Sequence, residues 1–236
     1  MKALINMLDL RAHFRGEDLK PTVILIIASL MPAIHRYFGS MEFAARSFAR
    51  TASFEAAAFM FGAAFFLLAV IPLAVIVLVF HEPLKNYGLQ LGNWKAGFMA
   101  TALLFPLIAG AMLYPASQTA EMRAVYPFDM DAGASWMAFL QFECMRGALF
   151  YTAWEFFFRG FMLFGLRKHV GDWLAICIQT IPSCLWHIGM PTGEIISSIA
   201  GGILFGLLAI RTRSILWPFL LHVLIGAGLD FFIVIT

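Results

Sequence analysis

The chain has 236 residues, 61% of them hydrophobic and 13% charged, with 16 basic and 14 acidic side chains and a formal net charge of +2. A soluble domain carries near ~25% charged residues, so this composition excludes an ordinary globular surface and reads as an integral membrane protein. With no Lys/Arg block and no interleaving of aromatic and basic residues, nucleic acid is excluded as a partner, and membrane lipid is the expected one.

Residues 1–20 carry charges of both signs and no apolar run leading to a small-residue cleavage site, so they read as an interfacial segment rather than a signal peptide. A first span is expected over 21–37. Residues 41–50, with Arg46 and Arg50 among apolar residues, suggest an amphipathic helix lying at the interface. The second span, 53–80, contains Pro72 and stops at His81-Glu82-Pro83, a helix-breaking turn. A polar loop over 84–95 leads to a third span over 96–114, and an acidic connection over 115–134 follows.

A long helix is then expected over 135–166. At about 1.5 Å per residue it exceeds a hydrocarbon core of about 30 Å, so it is tilted, kinked or broken near Gly147. Span five covers 173–189 with Pro182 inside it, span six 194–210, and span seven 215–235. The fold class is therefore all-α, a polytopic transmembrane helical bundle of about 7–8 membrane helices, in one integral membrane domain over 1–236. The abundant phenylalanines read as lipid-facing and packing surface.

Loop charge sets the orientation. Lys85/Lys95, Arg167/Lys168 and Arg211/Arg213 fall in alternate loops, which are therefore cytoplasmic. Arg36, Arg46 and Arg50 conflict with this scheme, which places them outside; an interfacial helix or a re-entrant first segment there relieves the conflict. Ser198, Gly202 and Gly206 form a stripe of small residues that lets a neighbouring helix approach closely. Cys144, Cys177 and Cys184 lack C-x-x-C spacing and read as packing residues rather than a disulfide or metal set.

The chemistry concentrates in a few polar groups at membrane depth. Glu155 and Arg159 are i and i+4 in a run of aromatics, with the acid N-terminal to the base, the favourable order on a helix. A charge in hydrocarbon costs several kcal/mol, so both are expected to face the bundle interior or a wet cavity. His187 lies on span five, and His222 and Asp230 on span seven. Pro182, five residues before His187, frees a backbone carbonyl and can bend the helix around a cavity. Glu194 follows His187 across a proline turn, where the helix dipole favours a carboxylate. Glu143 reads as a helix-surface residue near the interface. The plain structural alternatives are an ion pair locking two helices for Glu155 with Arg159, and imidazoles satisfied by backbone carbonyls for His187 and His222.

Glu155-Phe-Phe-Phe-Arg159-Gly160, Trp186-His187-Ile188-Gly189-Met190-Pro191, and Arg211-Thr-Arg-Ser214-Ile-Leu-Trp-Pro218 with His222 together resemble the CAAX protease and bacteriocin-processing family of intramembrane proteases. The similarity runs from about Leu84 to the C-terminus, with Tyr87-Gly88-Leu89 resembling the segment before that family's third span. The resemblance implies water activated by glutamate and histidine, with a second histidine and an asparagine stabilising the oxyanion. Glu155 and Arg159 then match the second acid and the arginine of the family's Glu-Glu-x-x-x-Arg motif, His187 its first histidine and His222 its second. Three positions depart from the pattern: Trp154 stands where the first glutamate belongs, Ser183 where a phenylalanine belongs, and Gly226 where Asn or Asp belongs.

Hydrolysis at neutral pH needs a base for water, and an apolar pocket tunes a carboxylate toward that task. Pairing with Arg159 lowers the basicity of Glu155, so Glu194 and Asp230 are substitutes for the missing glutamate. Counted from the cytoplasmic ends at about 1.5 Å per residue, Glu155, His222 and His187 fall at depths of ~18, ~12 and ~24 Å, a spread that the fold has to close. The expected activity is an intramembrane endopeptidase that acts on hydrophobic or lipidated peptide C-termini in a bacterial cytoplasmic membrane, without cofactor or metal. Its rivals are a catalytically weakened scaffold or bacteriocin-immunity protein, and a zinc peptidase using His187, His222 and a carboxylate.

Overall fold

Long apolar runs closed by polar turns dictate helices. The computed structural model, which describes residues 16–48 and 53–236, is helical with no strand among the described residues. Helix α1 (Leu19–Phe38) precedes the short α2 (Met41–Ser47), whose N-cap Ser40 accepts a hydrogen bond from the Phe43 N–H. Helices α3 (Ser53–Phe80) and α4 (Trp94–Ser117) follow. A continuous α5 over 136–170 leads to α6 (Asp172–Trp186), α7 (Thr192–Thr212) and α8 (Leu216–Ile235). This is the expected all-α polytopic bundle of an integral membrane protein. Most of the interfacial segment over 1–20, and Arg50, lie outside the described residues.

Among the described residues, five helices are long and apolar enough to cross a membrane: Gly16–Phe38, α3, α4, α7 and α8. The other two expected spans differ for a physical reason. Helix α6 has only 15 residues, and α5 carries Glu143, Arg146, Glu155 and Arg159 within its apolar run. Helix α5 forms the bundle's core: every residue of Phe156–Phe164 is buried, against α1, α3, α6, α7 and the turn Leu84–Tyr87. The phenylalanines of this stretch are thus interior packing rather than lipid-facing surface. The lipid-facing surface lies on the outer helices, where Leu78 of α3 is 69% and Ile196 of α7 66% exposed.

Near Gly147 the helix does not break. It widens into i→i+5 turns over Arg146–Tyr151 and again over Phe156–Phe164, leaving Thr152–Glu155 as a single α-turn between them. Such widened turns re-aim side chains and recur at functional sites. The small-residue stripe does what its spacing predicts. Gly202 leaves room for Thr180 and Gly206 for Ile176, so α7 packs closely on α6, and Gln179 Nε2 donates to the Gly202 carbonyl at 2.9 Å.

The basic loops share one end of the bundle. The connection after α3 docks on the turn between α7 and α8, with Asn93 N–H donating to Thr212 O at 2.8 Å and Gln90 Nε2 to Arg213 O at 2.8 Å. Lys20 Nζ reaches Glu82 at 2.8 Å, and α1 packs on the Arg167 end of α5. At the other end Met41, Phe54 and Phe128 share a cluster, so α2 lies beside the acidic loop. A short separate helix stands where Arg46 lies. Arg36 stands 3.8 Å from Glu42.

Candidate active site

A cavity of about 1640 Å³ runs between α5, α6, α7 and α8 and extends to α1, α4 and the 118–134 loop, with His187, Glu194, Arg159 and His222 in its wall. His187 sits in the turn after α6, and its Nδ1 donates to the Ser183 carbonyl at 2.8 Å. A carbonyl only accepts, so Nδ1 carries the proton and Nε2 of the neutral ring is a free acceptor. That Nε2 stands 3.7 Å from Glu194 Oε1 at the start of α7. The same carboxylate oxygen accepts from Tyr126 Oη at 2.8 Å, while Glu194 Oε2 is buried without a partner among the described residues. Burial, and then the Glu194 charge beside it, hold the Tyr126 phenol well above its ordinary range, so it remains a donor at neutral pH.

The second histidine is paired differently. His222 Nδ1 stands 2.7 Å from Glu155 Oε1, and Glu155 is fully buried. Glu155 Oε2 lies 3.2 Å from Arg159 Nε, an ion-pair contact without hydrogen-bond alignment. Glu155 does not reach the cavity wall; it stands behind His222 and fixes the ring, leaving Nε2 for the cavity. The Arg159 guanidinium lies 5.2 Å from the Phe205 ring, which also packs on His222 at 5.3 Å between centroids.

The spread in depth is bridged by side-chain reach. The Trp154 ring lies between the two imidazoles, 5.5 Å from His187 and 6.2 Å from His222. It fills the space where the family pattern expects the first glutamate. Ser183 supplies the carbonyl that orients His187, a role its backbone performs whatever its side chain.

Asp230 is placed elsewhere in the wall. It forms a buried cluster with Arg146, whose Nη1 lies 3.1 Å from Asp230 Oδ2 and whose Nη2 donates to Glu143 at 2.8 and 2.9 Å. Glu143, expected at the helix surface, is buried because this arginine neutralises it. Of the sequence-derived residues, the fold thus brings Glu155, Arg159, His187, Glu194 and His222 into two histidine–carboxylate pairs, and assigns Asp230 to an ion cluster. Arg146 was missed, although its spacing of three from Glu143 in an apolar run was the same kind of signal as Glu155 with Arg159. Tyr126 carried no sequence signal, since its loop meets Glu194 only in the folded chain.

Residues 151–227 match the family model described as type II CAAX prenyl endopeptidase Rce1-like. The match is shorter than the similarity read from the sequence, which began near Leu84, and it leaves Asp230 and Tyr126 outside. No curated protein and no solved structure matches the chain. The segment that contributes both histidine–carboxylate pairs to the cavity is thus similar to the type II CAAX prenyl endopeptidases, the same family of intramembrane proteases that the sequence motifs resemble.

Proposed function

We propose that this protein is an intramembrane endopeptidase that cleaves hydrophobic or lipidated peptide C-termini with a water activated by glutamate and histidine. The observation that carries the reading is the pairing of two imidazoles with two carboxylates at one largely apolar cavity. Its volume of about 1640 Å³ exceeds the roughly 300–1,000 Å³ of small-molecule pockets and suits an extended apolar chain.

His187 Nε2 and Glu194 Oε1 stand 3.7 Å apart, so one water beside the pair can reach both. The water oxygen adds to the scissile carbonyl carbon as its proton passes to this pair, and the carbonyl oxygen takes the negative charge. In its doubly protonated form, which the Glu155 carboxylate at Nδ1 favours, His222 donates through Nε2 to that oxygen. Collapse of the intermediate breaks the C–N bond, and the proton taken from water goes to the leaving amine. Glu155 and Arg159 position the donor; Glu194 takes the part of the glutamate displaced by Trp154. The same reading places the basic-loop end in the cytoplasm of a bacterial cell.

The occupation of the first glutamate's place by Trp154 favours a second reading, a weakened relative serving as scaffold or immunity protein. Purified protein in proteoliposomes, offered a library of apolar and prenylated peptide C-termini, separates the two: cleavage that His187→Ala abolishes supports the protease, and folded wild-type protein that cleaves nothing supports the scaffold. Among the described residues no group of three His, Cys, Asp or Glu side chains has metal-holding spacing. Metal analysis of the purified protein, with activity measured after chelation, decides the zinc reading.

A further inference from the structure

We infer that the Tyr151 hydroxyl is a hydrogen-bond donor of the reaction centre, set beside His222 to receive the charge that develops on the scissile carbonyl oxygen; this rests on the endopeptidase reading. Tyr151 ends the first widened turn of α5 and lies one turn before Glu155. The two side chains bracket His222, Glu155 holding Nδ1 at 2.7 Å and the Tyr151 ring covering the imidazole at 4.4 Å between centroids.

The position of the hydroxyl follows from α8. His222 and Gly226 are i and i+4, on one face of that helix. A Cβ on Gly226 would fall onto the Tyr151 oxygen. The phenol therefore fills the space of a residue-226 side chain, one helical turn from the imidazole, and only glycine there admits it. Tyr151, Gly226 and His222 all line the cavity.

Packing alone does not account for a tyrosine here. The residue is 7% exposed, and no hydrogen bond of its hydroxyl is formed with the described residues. The Arg146 guanidinium, 5.3 Å from the ring, is bound to Glu143 and Asp230 instead. The oxygen is not among the fully buried unpartnered atoms and is open to the cavity that Tyr151 lines, where a phenylalanine would present no donor. A developing oxyanion in the cavity supplies the missing acceptor.

The test is Tyr151→Phe, which keeps the ring on His222 and removes only the oxygen, with turnover of a cleavable peptide measured in proteoliposomes. Loss of one such donor is expected to lower kcat by about 100-fold while KM stays within about twofold. Gly226→Ala, whose Cβ would meet both the oxygen and the ring carbon Cζ, displaces the whole phenol and should cost at least a comparable factor. A kcat within about threefold of wild type in Tyr151→Phe, or a rise in KM alone, overturns the assignment. Binding of a phosphinate peptide, which mimics the tetrahedral intermediate, separates this inference from the protease reading. Weaker phosphinate binding by Tyr151→Phe in a wild-type background that cleaves nothing would sink the protease reading and keep the donor; equal binding by both proteins would remove the donor whatever the turnover.

Discussion

Glu155→Gln removes the charge that both holds His222 and neutralises Arg159. The wild-type carboxylate is fully buried, accepts from His222 Nδ1 at 2.7 Å and stands 3.2 Å from Arg159 Nε. A hydrogen bond to a charged group contributes about 1.5–3 kcal/mol, so losing it as support for the imidazolium lowers turnover by roughly 10- to 150-fold. The amide adds a second effect. Its NH₂ cannot face the guanidinium, so its oxygen turns to Arg159 and its NH₂ to Nδ1, which forces the His222 proton onto Nε2 in the neutral ring. That neutral ring still presents an Nε2–H to the oxyanion, so the expected loss is that of the charge alone, about 10- to 150-fold. The substitution also leaves Arg159, 2% exposed, without its counter-charge, which costs about 3–5 kcal/mol of stability. Turnover is therefore normalised to folded protein by thermal unfolding in detergent. The double variant Glu155→Gln/Arg159→Gln removes both charges and should recover most of the unfolding temperature and none of the turnover. A folded Glu155→Gln protein that retains turnover within about threefold of wild type, or a double variant that regains activity along with stability, would refute the positioning role.

His187→Ala should abolish cleavage and Glu194→Gln reduce it clearly; turnover surviving in both Glu155→Gln and Glu194→Gln removes the glutamate mechanism. Tyr126→Phe deletes one hydrogen bond to Glu194, worth about 1 kcal/mol, and should slow turnover several-fold at unchanged fold, as initial rates would show. Arg146→Met leaves Glu143 and Asp230 buried without their cation, and thermal unfolding should register a loss of about 3–5 kcal/mol; an unchanged unfolding temperature contradicts the cluster's structural role. Cysteines placed at Arg167 or Arg213 should label from the opposite side of intact cells to cysteines placed in 118–134, and same-side labelling overturns the orientation.

Composition and apolar run length determined the class of this protein, because a backbone in hydrocarbon has to satisfy its own hydrogen bonds and the helix is the local way to do so. The same energetic logic singled out Glu155, Arg159, His187 and His222 before any coordinates, since a charge or imidazole at membrane depth is too costly to be incidental. The small-residue stripe of α7 was legible for a similar reason, close packing being encoded locally in the spacing of Gly202 and Gly206. Hydropathy was a poorer guide for α5, where charged residues mark a helix buried among other helices rather than one facing lipid.

Partnership was decided only by the fold. Glu155 and Arg159 are neighbours on a helix, so their contact could be read from spacing, whereas His222 meets Glu155 from 67 residues away and Tyr126 meets Glu194 from 68. Asp230 looked equivalent to Glu194 in the sequence; the packing of α8 on α5 turned it toward Arg146 instead. Gly226 read as a gap in a motif, yet in three dimensions it is the slot that the Tyr151 phenol occupies. Such contacts depend on which helix faces lie against one another, a property of the whole bundle that no local spacing encodes.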